Sequence, residues 1–196
     1  MPNASRARHP ALVGALAIGL VGAWMMSGGL YIKAKAELAQ HLLERAWHTT
    51  LSDGGGQVKP WPWADMWPAF RITAERQGKS LIALEGASGE ALSFGPGWLQ
   101  STPRPGQPGL SIIAAHRDTH FAFLEDIALG DIITITTADG ARHRFEIEAT
   151  QIVDANTSGL DPHTPGTGLA LVTCYPFSSN QHGPLRFVAI GRLTEA

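Results

Sequence analysis

At 196 residues the chain has room for one domain of ordinary size and not for two large ones. A formal net charge of -2, with acidic and basic residues interspersed, supplies no basic stripe of the kind that tracks a phosphate backbone, so nucleic acid is excluded as an expected partner. The 22 glycines and 13 prolines, set among short aliphatic stretches, point away from a helical bundle and towards an all-β domain.

The chain begins with an unusual segment. Ala11 to Ile32 carries no Asp, Glu, Lys, Arg or His, and Arg6, Arg8, Lys33 and Lys35 flank it. About 20 apolar residues rising ~1.5 Å each cross a hydrocarbon core of ~30 Å, so 11–32 is expected to be a transmembrane anchor behind a cytoplasmic N-terminus at 1–10. Ala34-Lys35-Ala36 leaves a cleaved signal peptide as the alternative, but the apolar run is longer than the usual signal core. The nearly matched basic flanks do not fix the orientation.

Residues 33–59 read as a juxtamembrane helix and linker. Leu38, Leu42 and Trp47 fall near one helical face of Lys33 to Leu51, and Ser52-Asp53-Gly54-Gly55-Gly56 breaks the helix. In Trp61-Pro62-Trp63-Ala64-Asp65-Met66-Trp67-Pro68 the prolines prevent a regular helix. Its tryptophans are expected to pack on the domain, with the membrane interface as the alternative.

The remaining stretch, 60–196, is expected to form the folded domain. Its candidate strands are Phe70 to Ala74, Ser80 to Leu84, Leu92 to Phe94, Leu110 to Ala115, Asp131 to Thr136, Arg144 to Val153, Leu169 to Cys174 and Phe187 to Leu193. Ala138-Asp139-Gly140-Ala141 signals a hairpin turn. Ser111-Ile112-Ile113-Ala114-Ala115 and Leu169-Ala170-Leu171-Val172 are nearly continuous apolar runs, which suit strands buried on both faces. Ser101 to Pro108 reads as a connecting loop, with a wall of a peptide groove as its second reading.

Both apolar runs lead into reactive side chains. His116 follows the first, and Cys174, the only cysteine, ends the second, with Pro176 preventing orderly continuation. Arg186 opens the last apolar run, Phe187-Val188-Ala189-Ile190. A lone thiol forms no disulfide within the chain; it is either a small buried apolar group or a nucleophile. Acyl transfer needs these types together: a thiolate to attack a carbonyl, an imidazole to exchange protons, and fixed donors for the oxyanion. Guanidinium suits the last task because it stays charged and presents planar donors.

Leu171-Val172-Thr173-Cys174 resembles the active-site signature of the sortase family, and His116-Arg117-Asp118-Thr119 resembles its histidine motif. Arg186 stands where sortases carry their arginine, and the order His, Cys, Arg agrees. The likeness covers Phe70 to the C-terminus. With the Trp-Pro-Trp-Ala-Asp segment and the overall size, it is closest to the sortases of Gram-negative proteobacteria, class D-like and single-target. Ala115, where many relatives have glycine, departs from the pattern.

That resemblance implies an eight-stranded sortase-like β-barrel with short helices, in which His116, Cys174 and Arg186 are catalytic. It implies a transpeptidase that cleaves a Leu-Pro-x-Thr-Gly-like signal near the C-terminus of an exported protein, holds the acyl part as a Cys174 thioester and passes it to an amine acceptor. It also implies residence in the inner (cytoplasmic) membrane with the catalytic domain facing the periplasm. Thr173 and His182 are tentative substrate-binding residues. No cofactor and no metal are expected, because no acidic cluster suits calcium.

Other readings remain at particular residues. Asp118 either orients His116 or caps a short helix. His120, four residues after His116, has a zinc-compatible spacing without the Glu of a His-Glu-x-x-His motif. His143, His163 and His182 read as solvated. The competing function is a non-catalytic membrane-tethered periplasmic binding domain, or a zinc-dependent hydrolase using His116 and His120.

Overall fold

The computed structural model describes residues 38–178 and 183–195. The expected anchor at 11–32 and His182 lie outside the described residues. No described helix is long and apolar enough to cross a membrane. From His41 onward the chain forms one unit.

Eight strands close into a barrel: β1 (Pro68–Ala74), β2 (Lys79–Glu85), β3 (Gly97–Trp98), β4 (Gly109–Ala114), β5 (Ile132–Thr137), β6 (Arg142–Asp154), β7 (Thr167–Cys174) and β8 (Leu185–Glu195). Around the barrel the order is β1-β2-β3-β4-β7-β8-β6-β5. Only β2 with β3 and β4 with β7 pair in parallel. Alternation builds the interior: Phe70 and Ile72 of β1, Ile133 and Ile135 of β5, Phe145 of β6 and Leu169 and Leu171 of β7 are fully or almost fully buried in one apolar core. Asp139 stabilises the β5–β6 turn by accepting from the Ala141 amide at 3.1 Å.

A helix, α1 (38–52), precedes the barrel. Its buried face is Leu43, Ala46, Trp47 and Thr50, at helical spacing. The apolar stripe is therefore rotated from the expected Leu38, Leu42 and Trp47, and Leu38 is exposed. Leu43 and Trp47 pack with Ala64, Met66, Ile82 and Leu84, so helix and Trp-rich segment share a core on the barrel's outside. The tryptophans differ in burial. Trp61 stacks edge-on against Phe94 with ring centroids 5.2 Å apart, whereas Trp63 is 80% exposed.

One expected strand is wrong. Residues 92–94 do not extend; they follow a short helix, α2 (Gly89–Leu92), whose N-cap Ser88 accepts from the Ala91 amide at 3.1 Å. Ser88-Gly89-Glu90, a capping residue with an acidic residue in the first turn, was the local signal for it. The strand β3 comes later, at Gly97, where an added Cβ would lie 2.5 Å from the Gly86 carbonyl oxygen. Only glycine permits that approach.

His143 also departs from expectation. Its ring lies against Gly106, where an added Cβ would come within 2.5 Å of the imidazole, so it is half-buried rather than solvated.

Candidate active site

The strands β4, β7 and β8 form one wall, and both of its faces are apolar. Ile113, Leu169, Leu171 and Ala189 point into the barrel core. Leu110, Ile112, Ala170 and Val188 form a second cluster on the outer face, partly covered by Leu99, Val153 and Leu160. The two continuous apolar runs are thus explained by burial on both sides.

Parity then places the reactive residues. Cys174 shares the outer face of β7 with Ala170 and Val172, and Arg186 shares the outer face of β8 with Val188 and Ile190. Cys174 and Arg186 are direct cross-strand partners, a relation that puts Cβ atoms ~5 Å apart. On the neighbouring strand Ala114 pairs with Val172, and the Ala115 amide donates to the Val172 carbonyl at 3.1 Å. His116, the next residue, leaves the ladder at the level of Cys174. It is exposed, and the thiol is half-buried and free. Three neighbouring strands therefore deliver His116, Cys174 and Arg186 to one end of one face, beside the apolar cluster on the barrel's outside.

The β7–β8 turn restrains the arginine. Arg186 Nη1 donates to the carbonyls of Gly183 at 2.7 Å and Leu185 at 2.9 Å, and the Tyr175 amide donates to Leu185 at 3.0 Å. One guanidinium nitrogen is thus held by the backbone, and Nε and Nη2 carry the further donors of the fork.

Thr173 has a different position from the substrate-binding one expected. It is only 2% exposed, and its hydroxyl donates to the Ala115 carbonyl at 2.7 Å inside the barrel. The correction follows from alternation: the residue before an outward-facing cysteine faces inward. Asp118 does not cap a helix either. The short 3-10 helix that follows (Ala122–Asp126) has Phe121 at its N-cap with no side-chain capping bond, while the turn itself is closed by the Phe121 amide donating to His116 at 3.0 Å.

His120 is half-buried beside this turn. Burial pushes its imidazole pKa down from the ordinary value, the positive charge of His116 adds to that, and Asp118 opposes both. His120 is therefore a neutral neighbour at pH 7. No group of three or more metal-ligating side chains occurs among the described residues, so His116 and His120 have no third ligand there.

Sequence reading missed two tertiary contacts of the segment that runs from the histidine to β5. Arg117 Nη1 donates to the Pro176 carbonyl at 2.9 Å, across to the turn that follows the cysteine. Asp131 is buried at the end of the loop from the histidine and accepts from Arg76 at two oxygens, from Gln77 at 2.8 Å and from the Ala128 amide at 2.8 Å. Arg117 adjoins a recognised motif, whereas nothing local in the sequence connects Asp131 with Arg76.

Comparison with known proteins identifies the family and the fold. The sortase domain family model matches residues 72–194. The chain belongs to the sortase family. Sortase D of Bacillus subtilis (strain 168) is 31% identical over 113 residues, covering 57% of this chain and 57% of that protein. The chain thus matches little more than half the length of that sortase. Among solved structures, a Clostridium perfringens sortase D5 transpeptidase superposes with TM-score 0.61 at 20% identity, over 81% of this chain and 99% of that one. Sortase A from Corynebacterium diphtheriae gives TM-score 0.59 at 22% identity, over 81% and 85%. At these identities the structures establish the shared barrel fold.

Proposed function

We propose that this sortase is a cysteine transpeptidase whose nucleophile is Cys174, whose proton-transfer group is His116 and whose oxyanion stabiliser is Arg186. The observation that carries the reading is the convergence of these three residues on the outer face and one end of β4, β7 and β8. The apolar outer face leading to them suits an extended peptide, whose alternate side chains can lie against it.

Cys174 Sγ attacks the carbonyl carbon of the threonine in a Leu-Pro-x-Thr-Gly-like signal on an exported protein. A C–S bond forms, the Thr–Gly C–N bond breaks, and His116 gives a proton to the departing amine. An acceptor amine then attacks the thioester, loses its proton to His116 and releases the thiolate. Arg186 stabilises the negative oxygen in both tetrahedral states.

The Bacillus subtilis relative is a sortase D, which supports the class D-like reading; the Trp-Pro-Trp-Ala-Asp segment supports the proteobacterial, single-target one. The apolar segment 11–32 supports an inner-membrane anchor with the barrel facing the periplasm. Exposed Trp63 suits a position near the membrane interface.

The test is ligation by the full chain in detergent, because a fragment starting at Trp61 would lose Leu43 and Trp47 from the outer core. A Leu-Pro-x-Thr-Gly-type peptide is incubated with varied amines and the products are weighed by mass spectrometry. An amine-dependent product that is absent for Cys174→Ala and unaffected by chelator is expected. Loss of product with chelator, but not with thiol alkylation, would instead favour a zinc hydrolase.

A further inference from the structure

The ladder between β4 and β7 ends just before the residues that matter. Its registered pairs run from Gly109 with Thr167 to Ala114 with Val172, and the Ala115 amide makes the last backbone bond, to Val172. Beyond that rung two side-chain bonds join the His116 segment to the Cys174 segment. Inside the barrel, Thr173 Oγ1 donates to the Ala115 carbonyl at 2.7 Å. Outside it, Arg117 Nη1 donates to the Pro176 carbonyl at 2.9 Å.

These bonds bracket the reactive pair. Ala115 and Arg117 flank His116, while Thr173 and Pro176 lie on either side of Cys174. The inner bond alone would leave the His116 segment free to hinge about it, because His116 lies past the end of β4 whereas Cys174 stays paired with Arg186 on β8. A second attachment on the opposite side removes that rotation.

We infer that Arg117 is a positioning residue, whose bond to the Pro176 carbonyl sets the approach of the His116 imidazole to the Cys174 thiol. Arginine suits the task because its planar fork reaches across the turn and remains charged at any working pH. Next to Pro176, the Tyr175 amide donates to the Leu185 carbonyl, which also accepts from Arg186, so the Arg117 attachment also steadies the frame behind the oxyanion donor. Proton transfer and attack depend steeply on geometry, and a displacement of about 1 Å can cost ~10²-fold in rate.

The inference rests on the Cys174–His116 reading, and the test separates the two. The full chain in detergent is alkylated with iodoacetamide across pH, comparing wild type, His116→Ala, Arg117→Gln and Arg117→Lys, with thermal melting run on each. Cys174 is the only thiol, so the modification rate reports it alone. The neighbouring titratable groups Asp118, His120 and Arg186 stay unchanged in all four proteins.

The expected result is a shifted pH profile for His116→Ala, a shift in the same direction for Arg117→Gln, and recovery of most of the wild-type profile in Arg117→Lys, which keeps a charged donor. In peptide ligation, Arg117→Gln is expected to lower kcat about tenfold or more, with KM within about twofold of wild type. A wild-type profile for Arg117→Gln beside a shifted one for His116→Ala would overturn the positioning role alone, and a lowered melting temperature in that variant would make Arg117 merely structural. A wild-type profile for His116→Ala would overturn the Cys–His reading, and the inference with it.

Discussion

Thr173 and Cys174 are adjacent in the chain and belong to different regions of the molecule. The threonine is 2% exposed and turned into the barrel, whereas the cysteine is half-buried on the outer face beside a separate apolar cluster. The wall formed by β4, β7 and β8 repeats that division along its length. Its inner face is closed and fixes where the strands stand; its outer face is partly open and carries the reactive ends. The lesson is that placement and chemistry are assigned to opposite faces of the same strands, so substitutions should separate stability from activity by parity.

The largest separation is expected from Cys174→Ala. Ligation should fall to background in the mass-spectrometric assay, because no other thiol is present, while the melting temperature stays close to wild type because the site is half-open. Phe145→Ala should do the reverse. Phe145 is fully buried in the barrel core, and its truncation is expected to cost about 3–5 kcal/mol in chemical denaturation.

Arg186→Lys keeps the charge and loses the fork. It is expected to lower kcat roughly 10²-fold with little change in stability, the size seen when one oxyanion donor is removed. Thr173→Val tests the inner face next to the nucleophile. It leaves the buried Ala115 carbonyl without its 2.7 Å donor, an expected loss of about 1–3 kcal/mol, and its activity should fall less than that of Arg186→Lys. A larger effect on activity than on stability would break the division by face.

The smallest effect concerns acid stability. Asp131 has its pKa lowered to about 2, chiefly by the hydrogen bond from Arg76 and then by bonds from the Ala128 amide and Gln77, against an ordinary value of 3.8. A depressed carboxylate stabilises the fold fully above its unfolded value and loses that contribution as pH falls. Between about pH 4 and 2 the wild type should therefore lose stability that Asp131→Asn lacks throughout. Denaturation curves for the two proteins should converge at pH 2 and separate by on the order of 1–2 kcal/mol at pH 5.

How much of this was legible depended on whether the signal was local. β-Branched runs and turn residues located seven of the eight strands, and the eighth was displaced because Leu92 and Phe94 are apolar in a segment whose Ser88 cap starts a helix instead. The stripe of α1 was displaced by one position for a related reason. Leu42 and Leu43 are equivalent by composition, and only the packing of Leu43 with Ile82 and Leu84 distinguishes them.

By itself the sequence determined the reactive chemistry: one thiol, a histidine at the end of an apolar run, and an arginine opening another, in motifs that resemble one family. Tertiary structure decided which neighbours meet. The parallel register of β4 with β7 brings residues 58 positions apart to one level, and the Arg117 bond to Pro176 and the Arg76 bond to Asp131 join loops that share no local pattern. The physical reason is that a strand's period is written in its own residues, while register and loop contacts arise only when the barrel closes.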